Sequence, residues 1–251
     1  MKVIYFPEQS QGPLADLIRI VTKFGAMKFK LISKLAILTI LASVIAINNT
    51  WAQTGPAGDD LDKKVRKFLT EHSHYWFDMN IPASDGQLLY DLIIKGNYKS
   101  AIEFGTSTGH SAIWIAWALS KTGGKLITIE INEERYKTAL ENFREVGLSD
   151  YIDARLADAH KLARELKGPF DFVFSDADKD WYKNYFIELD PKLTVGGCFV
   201  THNITERGRG GNRGYGGPAI YLEYVRSLDN YETTLNSSGG GMAISYKRSK
   251  Q

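Results

Sequence analysis

From Asp60 onward the apolar residues alternate between two rhythms. Leu61, Val65, Phe68, Leu69, Tyr75 and Trp76 follow helical spacing and predict a helix over residues 60–77. Residues 79–84, with Pro82, break it. A second helix starts near Asp85, with Leu88, Leu89, Leu92 and Ile93 as its apolar face and Gly96-Asn97 as its stop. From Lys99 short apolar runs alternate with helical stretches: strand 101–104 and a helix to about Lys121, strand 126–130 and helix 132–146, strand 151–157 and helix 160–166. Strand 170–175 with helix 179–193 and strand 197–201 with helix 219–228 complete the series. Two last strands, 231–236 and 242–247, flank a turn holding three consecutive glycines and pair as an antiparallel hairpin. This order predicts an α/β fold: a doubly wound, mostly parallel seven-stranded sheet with an antiparallel C-terminal hairpin and helices on both faces.

The segment before Asp60 has a different pattern. Residues 27–34 are basic, residues 35–47 are apolar or small, and Thr50 and Ala52 stand at the −3 and −1 positions of a cleavage site. Residues 27–52 therefore read as a signal peptide beginning at Met27, which implies export and no stable membrane association once it is cut. The apolar run is short against the roughly 20 residues of a membrane span. Leu31 and Ile32 extend it, so an uncleaved anchor through residues 31–48 is the alternative. Residues 1–26 then form a non-structural extension, or an over-long gene start, and residues 53–58 a Gly/Pro/Asp linker. The folded domain is expected over residues 59–251, one domain by size.

Composition narrows the function classes. In 251 residues the net charge is +2, too near neutral for a broad nucleic-acid surface. The single cysteine, Cys198, excludes an intramolecular disulfide and a cysteine-based zinc cage, and its apolar neighbours mark it as a buried thiol. His72 and His74 are two apart, on different helix faces, and make a poor metal pair. His110 and His160 open helices and are expected to cap them or face solvent.

In a doubly wound sheet ligands sit at the carboxyl ends of the strands. Here those ends are Glu103-Phe-Gly105, Glu130, Ala157-Asp158, Ser175-Asp-Ala-Asp-Lys-Asp180 and Thr201-His-Asn203. The first strand runs into small hydroxylated residues and a helix, so backbone N–H groups and a helix N-terminus converge there, with Gly105 and Gly109 leaving room for a ligand. Glu130 is placed to accept both hydroxyls of a ribose. Ser107 stands where a dinucleotide fingerprint has its second glycine, and a pyrophosphate sits poorly among Glu103, Asp158 and Asp176. The pattern favours a cationic nucleoside without phosphates, and S-adenosylmethionine fits.

Glu103-Phe-Gly-Thr-Ser-Thr-Gly-His-Ser111, Glu130 and Phe172-Val-Phe-Ser-Asp-Ala-Asp-Lys179 resemble the small class I O-methyltransferases, which include the catechol and caffeoyl-CoA O-methyltransferases. The resemblance spans the whole expected domain, including Gly86-Gln-Leu-Leu89 and the closing hairpin, and implies a Rossmann-like methyltransferase fold. It implies that Gly105, Ser107 and Ser111 line the methionine end of the cofactor with Glu103 behind them, and that Met79 and Ile81 fold over it. Glu130 would hold the ribose, Asp158 and Ala159 would flank the adenine, and Ala177 would pack nearby. Asp176 matches the family's first metal ligand and Lys179 its catalytic lysine.

One position departs from the pattern. The family carries Asp-Asn after the fifth strand, and this chain has His202-Asn203. Asp176, His202 and Asn203 would suit a softer divalent ion than magnesium, or His202 would serve as a metal-free general base. Whether a divalent cation is needed stays open at this point. Residues 206–218, rich in glycine with Arg207, Arg209 and Arg213, read as a lid over the acceptor rather than an RNA-binding segment. Trp181 and Tyr182 are candidates to stack on an aromatic acceptor. The expected partner is a small hydroxylated molecule, with no nucleic acid, and the N-terminal helices offer a face for a homodimer. The alternative is an exported protein of the same fold that binds S-adenosylmethionine with little turnover.

Overall fold

The computed structural model describes residues 55–76, 79–205 and 216–250. The leader reading of residues 1–52 and the three lid arginines lie outside them. Residues from Gly58 onward form one compact unit. Among the described residues no helix is long and apolar enough to cross a membrane.

In chain order the elements are α1 (Gly55–Glu71), α2 (Ala83–Gly96), β1 (Ser100–Phe104), α3 (His110–Thr122), β2 (Lys125–Glu130), α4 (Glu133–Val146) and β3 (Ile152–Leu156). They continue with α5 (Ala159–Glu165), β4 (Phe170–Ser175), α6 (Tyr182–Leu189), β5 (Leu193–His202), α7 (Gly217–Arg226), β6 (Tyr231–Asn236) and β7 (Met242–Lys247). The seven strands form one sheet in the order β3-β2-β1-β4-β5-β7-β6. All neighbours are parallel up to β5, and β7 is antiparallel to both β5 and β6. The strand order reverses between β1 and β4, and a crevice opens at that switch point.

Two apolar layers sandwich the sheet. Trp117, Leu89, Phe172 and Phe174 belong to one, beneath α2 and α3. Phe104, Phe186, Phe199 and Tyr221 belong to the other, beneath α6 and α7. Alternation along β1 sends Ala101 to the first layer and Ile102 and Phe104 to the second. Cys198 is buried in the first layer, and burial pushes its thiol far above the ordinary range, so it is inert.

Several boundaries move. The first helix begins at Gly55, inside the stretch read as a linker, and ends at Glu71 with turns to Tyr75 instead of reaching Phe77. The helix read over 179–193 is a 3₁₀ turn, the eight-residue α6, and a second 3₁₀ turn at Asp190–Lys192. Pro191 accounts for the stop: it has no N–H to continue the α-helical ladder, and it sits instead in the first turn of the 3₁₀ segment. β5 accordingly begins at Leu193 rather than at Gly197.

Candidate active site

The β1–α3 junction is pinned from two sides. The amides of Gly105 and Thr106 both donate to Ile129 O, at 3.0 and 3.1 Å, and Asp176 N donates to Phe104 O at 3.0 Å. Gly105 has φ +94°, and a Cβ there would lie 3.0 Å from Asp176 O, so glycine is needed for β1 to pass under the β4 loop. Gly109 has φ +100°, and its Cβ would collide with Phe143 of α4. These glycines serve close packing of the protein on itself, a different reason from the room for a ligand that the pattern suggested.

Glu130 anchors the open side. Its Oε2 accepts from Ser107 N at 2.7 Å, and its Oε1 accepts from Ile131 N at 3.1 Å and Asn132 N at 2.9 Å. Asp158 caps α5 by accepting from His160 N at 2.8 Å. A cavity of about 440 Å³ lies between them, lined by Gly105, Ser107, Glu130, Asp158, Ala159 and Asp176, with Met79 and Ala177 also at its wall. Ser107, at φ +50°, has a buried hydroxyl with no hydrogen-bond partner among the described residues.

Two other expected ligands lie deeper. Ile81 is buried, and its carbonyl accepts from His110 Nδ1 at 2.9 Å. Ser111 is buried at the start of α3 and interacts with Glu103. Burial pushes the Glu103 carboxyl up to about 8, although Thr128 Oγ1 donates to it at 2.5 Å.

The other side of the crevice is a chain of charges. Lys179 Nζ lies 2.5 Å from Asp176 Oδ1, with Tyr182 OH at 3.4 Å from the same oxygen. His202 Nδ1 is 3.0 Å from Asp176 Oδ2, and its Nε2 is 2.9 Å from Asp85 Oδ2. Gly240 N, in the β6–β7 turn, donates to that same Asp85 oxygen at 2.7 Å. Burial works against a charge on His202, but the hydrogen bonds and charges of Asp176 and Asp85 outweigh it and raise its pKa to about 9. Burial likewise opposes ionisation of Asp176, and His202 and Lys179 outweigh it, holding that carboxyl below its ordinary value. Both ring nitrogens of His202 are thus engaged by carboxylate oxygens, which leaves neither facing the cavity as a base or a ligand.

A divalent ion at Asp176, His202 and Asn203 does not fit this arrangement. Both Asp176 oxygens face cations, and both ring nitrogens face carboxylates. Asn203 follows in left-handed backbone at φ +55°. Among the described residues no group of three or more His, Cys, Asp and Glu side chains is placed to hold a metal.

Asp85 is the member that sequence reasoning missed. It is 1% exposed in the first turn of α2, and its partner ring is 117 residues away. Nothing local distinguishes it from an ordinary acid near a helix start. Only the close approach of α2 to α3 hints at it: Gly86 packs where any Cβ would strike Trp114.

Two aromatic expectations are corrected, for His110 and Tyr182. His110 is buried rather than solvated: Nδ1–H donates to Ile81 O, Nε2 accepts from Trp114 Nε1 at 3.2 Å, and the ring stacks on Trp76 at 4.5 Å. Burial lowers its pKa to about 4, so it is neutral. Tyr182 is wholly buried beneath the Lys179 ammonium and presents no face to an acceptor. Trp181 stacks on His160 at 4.2 Å, and His160 lies 3.2 Å from Asp178.

A family model described as O-methyltransferase matches residues 57–211. Among curated proteins, a caffeoyl-CoA O-methyltransferase 1 of Eucalyptus globulus is 36% identical over 151 residues, 58% of this chain and 60% of the relative. The chain thus spans about 60% of that relative's length. A caffeoyl-CoA O-methyltransferase of Petroselinum crispum is 32% identical over 189 residues, 73% of this chain and 76% of the relative. Among solved structures, an O-methyltransferase from Bacillus cereus in complex with SAH superposes with a TM-score of 0.63 at 22% identity, covering 74% of this chain and 91% of that one. TomG from Streptomyces achromogenes, in complex with SAM, gives 0.64 at 23% identity, covering 74% and 90%. At such identities the superpositions show a shared fold.

Proposed function

The chain belongs to the O-methyltransferase family, and on that premise we propose that it moves a methyl group from S-adenosylmethionine to a hydroxyl of a small, aromatic acceptor. The observation that carries the reading is that Asp176, paired with Lys179, lines the same 440 Å³ cavity as the acid Glu130. The residues suit the cofactor. An acid at the end of β2 matches ribose hydroxyls, and the Ser107 hydroxyl offers a hydrogen bond that none of the described residues uses. When bound, S-adenosylmethionine supplies a methyl group on a sulfonium sulfur.

The chain's own part is positioning and charge. Glu130 would fix the ribose, Asp158 and Ala159 the adenine, and Met79 would cover the site. Lys179, its ammonium steadied by Asp176, would hold the acceptor oxygen and stabilise its negative charge as the hydroxyl proton passes to water. The arginines at 207, 209 and 213 would close over an anionic acceptor.

The test is calorimetry of the full chain with S-adenosylmethionine and with its demethylated product, followed by turnover on caffeoyl-CoA, the acceptor that the relatives' names suggest as a probe. Binding of both cofactor forms is expected, and Lys179→Ala should lower kcat by about 10²–10⁴-fold while leaving cofactor affinity intact. Cofactor binding without turnover on any catechol-type probe would favour the exported binding protein instead. We also propose that residues 27–52 direct export. N-terminal sequencing of the native protein tests this, and a start at Met1 would refute it.

A further inference from the structure

Four groups meet where α2, β4, β5 and the β6–β7 turn converge: Asp85, Asp176, His202 and the amide of Gly240. Asp85 and His202 are almost fully enclosed, at 1% and 5% side-chain exposure. A hard divalent ion needs several oxygen ligands, with carboxylate oxygens free to reach it. Here one oxygen of Asp176 faces the Lys179 ammonium and the other faces the His202 ring. The ring's second nitrogen is spent on Asp85. Both Asp176 oxygens and both ring nitrogens already have partners within the cluster, so an incoming ion would have to displace them.

The turn is shaped around this bridge. A Cβ on Gly239 would collide with Asp85, and one on Gly240 would collide with the His202 ring. Ile204 N donates to Gly241 O at 3.2 Å, which ties the turn to the loop after β5. α7 in turn packs against the backbone of Lys179, where a Cβ on Gly217 would collide.

We propose that the Asp85–His202–Asp176 bridge stands in place of a divalent ion, so that this chain transfers methyl groups without a bound metal. The ring holds Asp176, Asp176 holds the Lys179 ammonium against the acceptor oxygen, and Asp85 and His202 act as positioning residues. This rests on the methyltransferase reading above.

The experiment is a titration of Mn²⁺ into the full chain, followed by electron paramagnetic resonance, with cofactor product present and turnover on caffeoyl-CoA measured in EDTA. The wild-type chain is expected to bind no ion up to about 1 mM, the weak end of protein oxygen sites, and to lose no activity in EDTA. His202→Asp removes both ring contacts and adds a carboxylate. It should gain Mn²⁺ affinity of about 10-fold or more, together with sensitivity to EDTA. Mn²⁺ bound by the wild type and lost in Asp176→Asn would overturn the proposal, as would wild-type turnover abolished by EDTA and restored by Mn²⁺. Failure of a folded His202→Asp to gain an ion would overturn the ring's role in excluding one. Should that variant not fold, the wild-type titration decides alone. Calorimetry with the demethylated cofactor on the same samples separates the two readings: a chain that does not bind it refutes the methyltransferase reading, whatever the ion does.

Discussion

The two halves of the strand-end crevice are built on opposite plans. On the β1–β2–β3 side, Glu130 spends its carboxylate on three backbone amides, Asp158 caps a helix, and the Ser107 hydroxyl is left unpartnered beside an open cavity. On the β4–β5 side the charges answer one another: Lys179, Asp176, His202 and Asp85 form a chain with a backbone amide at its end, and only Asp85 Oδ1, among the four side chains' charged atoms, has no partner among the described residues. The first half keeps capacity in reserve for a ligand that comes and goes. The second is neutralised from within, and suits a fixed electrostatic setting for the lysine. If this contrast is right, the halves should respond differently to substitution, with stability lost on one side and ligand affinity on the other.

The largest effect is expected from Asp85→Ala. It leaves His202 Nε2 and the Gly240 amide without an acceptor in a site closed to water. Removing one partner of a buried charged pair costs about 3–5 kcal/mol. Urea denaturation of the variant should show a loss of that size, with affinity for the demethylated cofactor kept in whatever fraction stays folded. A loss below about 1 kcal/mol, the size of a surface pair, would mean that the bridge is not closed as described.

The same half should govern how stability depends on pH. His202 is raised from 6.5 to about 9, because Asp176 and Asp85 outweigh the penalty of burial. Its folded form therefore holds a proton that the unfolded chain gives up. The stabilisation is complete below pH 6.5 and is lost as pH rises through about 9. Glu103, pushed by burial from 4.5 to about 8, slopes the same way over a lower window. His202 alone predicts a fall of about 3 kcal/mol between pH 6.5 and 9, to which Glu103 adds below pH 8, seen as a falling urea midpoint. His202→Gln should flatten the upper part of that slope and leave the Glu103 part. A wild-type chain whose midpoint is level from pH 6.5 to 9 would show that the ring is neutral.

The contrast also explains what could be read from the chain alone. The open half is local: strand, glycine turn and helix follow one another from Lys99 to Ser111, Glu130 ends the next strand, and periodicity placed each of them. The closed half is made by tertiary approach. Asp85 and Gly240 are 155 residues apart, and the three glycines that read only as a hairpin turn also wrap a buried ion pair. His202 was visible as a residue, but its protonation depends on two carboxylates arriving from β4 and α2. No spacing rule carries that information. The missed helix stop at Pro191 is a simpler failure, where apolar periodicity was followed through a residue that cannot sustain it.

The smallest change sharpens the contrast most, because it should leave the fold untouched. Ser107 is a non-glycine residue in left-handed backbone, at φ +50°, and its amide, not its hydroxyl, makes the structural bond to Glu130. Ser107→Ala keeps that amide and a Cβ in the same conformation. It removes only the hydroxyl that has no partner among the described residues. Stability should therefore stay within about 0.5 kcal/mol of wild type. Affinity for the demethylated cofactor should fall by about 5-fold, the worth of one hydrogen bond near 1 kcal/mol. Calorimetry beside a urea titration reads both numbers on one sample. Unchanged affinity would mean that the hydroxyl is spare in the complex too. A large loss of stability would mean that the open half is as closed as its neighbour.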